Sequence, residues 1–253
     1  MKTLVVAILI SVVLAGIGAS VTEAQVKQLP IPKLSFEVGK ASKPEDVSVT
    51  IQILFLMTIL SLAPALLILT TCFTRIIVVF HFLKQAMGTP QMPPSQVLVG
   101  LAMFLTFFIM APVWNKMNTV AIQPYLNEKM PMATAYERGI EPLREFMFRH
   151  TREEDLALFV KMAQLDKPQS RAEVPTYVVI PAFAISELRA GFQIGFIIYI
   201  PFLIIDAVIA SILMSMGMMM LPPQMLSVPF KILLFILVDG WHLVVGSLLM
   251  SYQ

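Results

Sequence analysis

Residues 206–231 read DAVIASILMSMGMMMLPPQMLSVPFK. An apolar run ends at a glycine that is followed by three methionines and, one residue later, by two prolines, after which a second apolar run begins. Gly217 gives the backbone freedom to leave a helix, and Pro222 and Pro223 restrict the far side of the turn. The stretch therefore predicts two apolar helices joined by a methionine-rich turn.

One acidic and one basic residue lie inside these apolar runs. Asp206 lies twelve positions before Met218. Lys231 lies nine positions after Pro222, so at ~1.5 Å of rise per residue the two charges are at comparable heights above the turn. A lone charge costs on the order of 2.5–3.5 kcal/mol at a lipid-facing centre. We therefore expect a buried charge pair, within one chain or between neighbours; the functional alternative is a carboxylate in a proton relay.

The first run also carries small residues at intervals of four positions. Such seams let helices approach closely in membranes, and this one begins with the GFQIG step at 191–195. Glycine is common in membrane helices, so the pattern has low specificity. The residues expected at the packing seam are Gly191, Gly195, Ala207, Ser211 and Ser215.

The composition places most of the chain in an apolar environment. Of its 253 residues, 57% are hydrophobic and only 13% are charged, and the mean hydropathy is +0.80, whereas a soluble domain carries about 25% charged residues. Only helices and closed barrels satisfy the backbone in lipid, and the apolar runs have the length of membrane helices. We predict an all-α membrane protein with four long apolar helices, at 49–73, 97–113, 192–217 and 226–250.

These helices are expected to form two hairpins, the first at 49–113 and the second, which contains the methionine turn, at 176–253. The connection at 74–96 carries Arg75 and Lys84 without an acidic residue. Because cytoplasmic loops are enriched in basic residues, we expect this connection, and with it the methionine turn, on the cytoplasmic side.

A polar stretch at 114–175 separates the two hairpins. It holds nine basic and nine acidic side chains, and it is expected to form a small helical domain outside the cytoplasm. Thr151 is positioned to cap a helix that has three acidic residues in its first turn, where negative charge is favourable.

The N-terminal residues 1–24 consist of an early lysine, an uncharged run and small residues that end at Ala24. This arrangement is typical of a cleavable secretory signal peptide, with cleavage between Ala24 and Gln25; the alternative is an uncleaved first membrane helix. Residues 25–48 contain prolines and scattered charges and are expected to form an irregular periplasmic segment.

No catalytic, cofactor or metal motif is recognisable in the sequence. The three histidines, His81, His150 and His242, lack the spacing of a metal site. The single cysteine, Cys72, excludes an internal disulfide. The net charge of +2 comes without a basic cluster that would suggest nucleic acid. We therefore predict a protein that is not an enzyme and that binds no cofactor, metal or nucleic acid.

Three segments together resemble the FliP family, the export-gate proteins of the bacterial flagellar type III secretion apparatus. They are FTRIIVVFHFLKQAMGTPQMPPSQVLVGLAMFLTFFIMAPV at 73–113, PLREFMFRHTREEDLALF at 142–159, and PAFAISELRAGFQIGFIIYIPFLIIDAVIASILMSMGMMMLPPQMLSVPFKILLFILVDGW at 181–241. The resemblance covers nearly everything from Val49 onward. Lys84 stands where the family often has arginine, which keeps the charge.

The resemblance implies a role in protein export at the bacterial inner membrane, in the flagellar basal body. Members of the family assemble in several copies with FliQ and FliR into a closed, helically arranged pore complex, which FlhB and FlhA join at the cytoplasmic side. Unfolded flagellar subunits pass through its centre. The resemblance also implies that the apolar hairpins pack on each other above the membrane plane rather than each spanning lipid.

The methionine turn acquires a role from the same resemblance. Met218, Met219 and Met220, repeated around an axis, correspond to the family's methionine-rich gasket, which keeps the pore tight to ions. Without the resemblance, the same residues describe an ordinary apolar turn. The competing function is a small-solute or proton channel, or a subunit of a secondary transporter. Such a transporter usually shows internal repeats, and we find none in the sequence.

Overall fold

The structure is a computed structural model that describes residues 44–89, 92–165, 168, 170–218 and 221–252, with the side chains described from residue 51 onward. The chain divides after Ile51 into two units, Met1–Ile51 and Gln52–Gln253. Every regular element among the described residues is helical, which confirms the all-α prediction for this part of the chain. The α-helices are α1 (Pro44–Thr70), α2 (Phe73–Met87), α3 (Ser95–Met117), α4 (Gln123–Leu126), α5 (Met132–His150), α6 (Glu153–Met162), α7 (Thr176–Ser215), α8 (Pro223–Leu237) and α9 (Gly240–Met250).

Three helical stretches among the described residues are long and apolar enough to cross a membrane. They are Ile51–Thr70, Ser95–Leu126 and Thr176–Ser215; α8 and α9 together would form a fourth, bent by 63° at its break. The second stretch is longer than the predicted 97–113 because α3 continues through a π-helical turn, Asn118–Ile122, into α4. The fourth differs from the single span expected at 226–250, since Asp239 interrupts it with a left-handed backbone (φ +49°).

Helix α2 occupies the segment that we interpreted as the connection between the first two spans, and it packs into the core. Five of its side chains, at spacings of three, one, three and three residues, are fully buried: Ile76, Val79, Phe80, Leu83 and Ala86. This spacing marks one face of a helix that packs into a core. Arg75 is also buried, so it provides no basic loop charge from which to infer orientation. The helix ends at Gly88, whose left-handed backbone (φ +69°) lets its N–H donate to the Gln85 carbonyl at 3.1 Å.

Helices α2 and α7 run side by side in very close contact. A Cβ atom at Gly191 would lie 3.0 Å from the side chain of Val78, and one at Gly195 would lie 2.6 Å from Phe82. Only glycine fits at such an approach without displacing its neighbour. The other predicted seam residues, Ala207, Ser211 and Ser215, are exposed on the single chain, and both serine hydroxyls donate to carbonyls of their own helix.

Helix α7 is 40 residues long and begins at Thr176, sixteen positions before the predicted span at 192. Two charged residues, Glu187 and Arg189, lie in the part of α7 that precedes the predicted span. In the structure Glu187 is completely buried and has a cationic partner in α2 at 2.5 Å. A paired carboxylate does not interrupt an apolar helix, so α7 continues through it.

The polar domain consists of α5 and α6. Hydrogen bonds anchor it to the first third of α7. Ser186 donates its hydroxyl to the buried Asp155 carboxylate at 2.7 Å, and it accepts the Arg152 backbone N–H at 3.1 Å. Thr151 does not cap α6, contrary to our expectation: its hydroxyl donates to the Met147 carbonyl at 2.6 Å, which closes the preceding helix instead.

Candidate functional site

Two buried polar centres lie along α7, and we name them by their carboxylates. The Glu187 centre joins α7 to α2. Arg75 donates from Nε to Glu187 Oε2 at 3.0 Å and from Nη2 to Oε1 at 2.5 Å, a bidentate contact. Arg75 is 6% exposed and Glu187 is fully buried. Paired charges of this kind are tolerated in an apolar core because each satisfies the hydrogen-bonding capacity of the other.

The C-terminal residues complete the Glu187 centre. The Tyr252 hydroxyl donates to Glu187 Oε2, while the Arg75 guanidinium lies 4.0 Å from the centre of the Tyr252 ring, in cation–π contact. Arg75 Nη1 also donates to the Ser251 carbonyl at 3.2 Å and to its hydroxyl oxygen at 2.9 Å. The end of the chain is thus held by the same ion pair that joins α2 to α7.

His150, at the end of α5, lies against this centre. Its ring centroid is 4.8 Å from that of Phe146 and 4.9 Å from that of Tyr252. Burial, helped by the positive charges of Arg75 and Arg149, lowers the pKa of His150 from 6.5 to about 4. The imidazole is therefore neutral at physiological pH, and a proton added to it would lie next to an existing guanidinium.

Lowering the pH from 6.5 to 4.5 should therefore destabilise the protein through His150. In this window the unfolded chain binds a proton at position 150 that the folded chain excludes, so stability is lost as pH falls from the unfolded value of 6.5 toward about 4. We expect His150→Gln to remove roughly 2 kcal/mol of this acid sensitivity. The measurement is the unfolding temperature in detergent at both pH values. His81→Gln, at an exposed histidine, should leave the sensitivity unchanged, and equal profiles for all three proteins would contradict the assignment.

The Asp206 centre joins α7 to α8. Lys231 Nζ donates to Asp206 Oδ2 at 2.6 Å, and the fully buried Ser227 donates its hydroxyl to Asp206 Oδ1 at 2.5 Å. The Lys231 side chain is 4% exposed and that of Asp206 is 23% exposed. Counting residues from the turn placed the two charges at the same height, and the structure places them in contact within one chain.

The end of α2 also contacts the Asp206 centre. A Cβ atom at Gly88 would lie 3.6 Å from Lys231 Nζ, so the ammonium sits at the C-terminus of α2. The last carbonyls of a helix carry a partial negative charge that favours a cation. Lys231 is therefore stabilised by a carboxylate and by a helix end, and the sequence pattern predicted only the first.

The methionine turn begins where α7 ends. Met218 is 44% exposed, and Met219 and Met220 lie outside the described residues. Gly217 has a left-handed backbone (φ +75°) with open space around its Cα, as a residue that ends a helix requires. Pro222 and Pro223 stand at the start of α8. The described part of the turn thus presents apolar side chains outward.

Sequence reasoning missed the Glu187 centre, although it noted Arg75 as a basic residue of the segment between the first two spans. Arg189, two positions after Glu187, lies 3.4 Å from Glu154 in the structure. One signal was present: Arg75 and Glu187 each interrupt an otherwise apolar run, as Asp206 and Lys231 do. Pairing them requires knowing that α2 lies beside α7.

Neither centre has the composition of a catalytic or metal site. The described residues contain no group of three or more His, Cys, Asp or Glu side chains that could hold a metal ion. Every buried side-chain nitrogen and oxygen among them has a hydrogen-bond partner. Such satisfied centres fix how helices pack.

Comparison with known proteins assigns the chain to a family. The model of the FliP family matches residues 56–248. A flagellar biosynthetic protein FliP from Bacillus subtilis (strain 168) is 58% identical over 215 residues, which is 85% of this chain and 97% of the relative. The protein of the same name from Aquifex aeolicus (strain VF5) is 48% identical over 88% of this chain and 92% of its own length. The protein of the same name from Caulobacter vibrioides is 46% identical over 95% of this chain and 89% of its own length. Together with the apolar helices and the methionine turn, these matches show that the chain belongs to the FliP family.

Proposed function

We propose that the chain is a core pore subunit of the flagellar type III export gate, which passes unfolded flagellar subunits across the bacterial inner membrane at the basal body. The observation that carries the proposal is the family match over residues 56–248. It is supported by relatives that bear the name flagellar biosynthetic protein FliP over nearly their whole length.

The apolar surface of the chain supports assembly into a larger complex. In the most apolar 18-residue windows of Ile51–Thr70 and Thr176–Ser215, only 6% and 11% of the residues are buried within the chain. A contiguous apolar surface of this kind is covered by lipid or by other subunits. In the proposed gate, several copies pack helically with FliQ and FliR around a closed pore, with the hairpins above the membrane plane, and FlhB and FlhA join at the cytoplasmic side.

The proposed gate also has an orientation. The signal peptide 1–24 is cleaved between Ala24 and Gln25, positions that lie outside the described residues. The domain of α5 and α6 is periplasmic, and the methionine turn faces the cytoplasm. N-terminal sequencing of the membrane-extracted protein tests the cleavage. A periplasm-dependent reporter inserted at 127–130, an exposed turn between α4 and α5, tests the sidedness. An inactive reporter there would show that the true orientation is the reverse of the proposed one.

Deletion of the gene separates this function from the competing small-solute or proton channel. The export gate predicts a non-motile strain that secretes no hook or filament subunits while its solute uptake is unchanged. Normal export of those subunits, with altered uptake of a solute, would support the channel instead. Complementation by the wild-type gene is the control for effects on neighbouring genes.

The methionine turn provides a second test. Replacing Met218, Met219 and Met220 by alanine should leave the complex assembled but permeable to small ions. Unbranched thioether side chains from several copies can close a pore by packing and dewetting, and alanine leaves gaps. Ion conductance is measured in a strain without export substrates. We expect protein secretion to be reduced less than the barrier to small ions is. Met225→Ala, at a 74% exposed methionine beyond the prolines, is the matched control. Unchanged conductance in the triple variant would show that the turn is an apolar connection without a sealing role.

A further inference from the structure

The apolar helical stretches at 51–87, 95–126, 176–215 and 223–250 carry five basic and three acidic side chains. Four of the basic side chains form ion pairs with acidic ones: Arg75, Lys116, Arg189 and Lys231. Two of the three acidic side chains, Glu187 and Asp206, belong to these pairs. Within the described part of the chain, this leaves one cation, Lys84, without an acidic partner. It also leaves one anion, Asp239, whose side chain has neither a hydrogen bond nor an ion pair.

The unpaired anion, Asp239, lies in the break between α8 and α9. Its backbone is left-handed (φ +49°), and its side chain does not cap α9. A Cβ atom at Gly240 would lie 2.2 Å from the Phe235 ring, so the absence of a side chain there lets the ring pack into the bend. Ile236 and Leu237, which precede the carboxylate, are 68% and 74% exposed. The bend thus presents the carboxylate on an apolar surface.

The unpaired cation, Lys84, lies in the last turn of α2, beside the start of α3. Its ammonium donates to the Ser95 hydroxyl at 2.9 Å, a neutral group that does not compensate the charge. On α3, Val97 is 59% exposed and Phe104 is 77% exposed. The lysine therefore also lies beside an apolar surface. When lipid or protein covers such a surface, a charge within it loses water and requires a charge of opposite sign.

The height of Lys84 along the fold follows from the contacts between α2 and α7. These helices run parallel, because their contacts advance together from the Glu187 centre to the side chain of Phe82 beside Gly195. Lys84 is two positions after Phe82. It is therefore level with about Ile197 of α7.

The height of Asp239 follows from the contacts between α7 and α8. These helices run antiparallel, from the Asp206 centre to the rings of Phe202 and Phe235, whose centroids are 6.4 Å apart. Asp239 is four positions after Phe235, so it is level with about Ile198. The unpaired anion and the unpaired cation are thus at the same height along α7, to within a helical turn of ~5.4 Å.

We propose that the chain associates with its own copies through an ion pair between Asp239 of one copy and Lys84 of the next. Copies that stand side by side with their helices aligned bring the two charges together, because the charges are level. The contact completes both unpaired groups at once and covers the apolar surfaces beside them. A lipid headgroup, or a different protein that carries one charge, would complete only one of the two.

The pair also determines how the copies are arranged. Each copy offers Asp239 to one neighbour and Lys84 to another, so the contact is head-to-tail. Contacts of this kind continue into a ring or a helical array. The inference rests on the proposed function, because it describes the contact between the several copies of the proposed gate.

Charge reversal tests the pair. Lys84→Glu and Asp239→Lys each place two like charges at the contact, so each should weaken self-association of the full chain in detergent at least about tenfold. The double variant restores an ion pair and should recover most of the loss, as measured by analytical ultracentrifugation. Lys129→Glu, at an exposed lysine outside the contact, is the matched control. Undiminished self-association in both single variants would overturn the proposal, and so would a double variant as weak as the singles.

Asp239→Asn separates the charge from the bend. Asparagine is well suited to a left-handed backbone, so the helix content by circular dichroism should be unchanged while self-association falls about tenfold. Loss of helix content in this variant would contradict the assignment, because the carboxylate would then serve the fold of the single chain.

Cross-linking shows whether the pair forms between copies. Two differently tagged chains, one with Lys84→Cys and the other with Asp239→Cys, are co-expressed and treated in membranes with a short bismaleimide. Both carry Cys72→Ala, which removes the native thiol. We expect a dimer that carries both tags, and none when both chains carry Lys84→Cys. A chain with both cysteines that cross-links only within itself would overturn the proposal. If the cross-link is absent while the deletion strain exports no flagellar subunits, this contact alone is wrong; if the deletion strain exports them normally, the proposed function is at fault.

Discussion

Glu187→Ala should lower the unfolding temperature of the detergent-purified protein by about 10 °C or more, and it should prevent assembly. The substitution leaves the Arg75 guanidinium, which is 6% exposed, without its carboxylate, and it removes the acceptor of the Tyr252 hydroxyl. Breaking a buried ion pair from one side costs about 3–5 kcal/mol. Since the pair joins α2, α7 and the chain terminus, its loss should loosen all three together.

Two controls separate this effect from the removal of any charge. Lys116 and Glu145 form an ion pair at 3.3 Å whose side chains are 59% and 53% exposed, so Glu145→Ala should change stability by less than about 1 kcal/mol. Tyr252→Phe keeps the ring beneath Arg75 and removes one hydrogen bond, so its effect should be intermediate. If Glu187→Ala and Glu145→Ala have equal unfolding temperatures, the Glu187 centre does not hold the fold together.

The Asp206 centre should respond asymmetrically to the loss of its two partners. Asp206→Ala leaves Lys231 as an unpaired ammonium whose side chain is only 4% exposed, whereas Lys231→Ala leaves an aspartate that is 23% exposed and still bonded to Ser227. The first variant should therefore lose about 3 kcal/mol or more and the second less. Both should assemble poorly, as judged by unfolding temperature and size-exclusion chromatography.

Exchanging the two charges tests the contribution of the helix end. The double variant Asp206→Lys with Lys231→Asp restores an ion pair, but it places the negative charge beside the C-terminus of α2 near Gly88. The partial negative charge there disfavours an anion, so we expect partial recovery only. Full recovery would show that the helix end contributes nothing, and no recovery would contradict the pair. If Asp206→Asn alone assembles and secretes normally, the centre has no role as a charge pair.

The sequence by itself determined the helical class, the family and the position of the turn between α7 and α8. These properties depend on patterns that are local along the chain. Apolar runs of membrane length specify helices whatever surrounds them. Gly217 followed by Pro222 and Pro223 marks a turn, and counting residues from that turn puts Asp206 and Lys231 at one height. A family match likewise depends only on the order of residues.

The tertiary structure decided which apolar segments form the interior and which charges meet. Arg75 and Glu187 are 112 residues apart, and nothing local indicates that α2, which we interpreted as the connection between two spans, lies beside α7. Their contact depends on Gly191 and Gly195, which let the two helices approach. Mean hydropathy did not distinguish buried from exposed helices, because the Ile51–Thr70 part of α1 is strongly apolar and almost entirely exposed on the chain, whereas one face of α2 is buried. An apolar side chain gains equally from any surface that excludes water, so burial within one chain depends on shape complementarity and on ion pairs between distant residues.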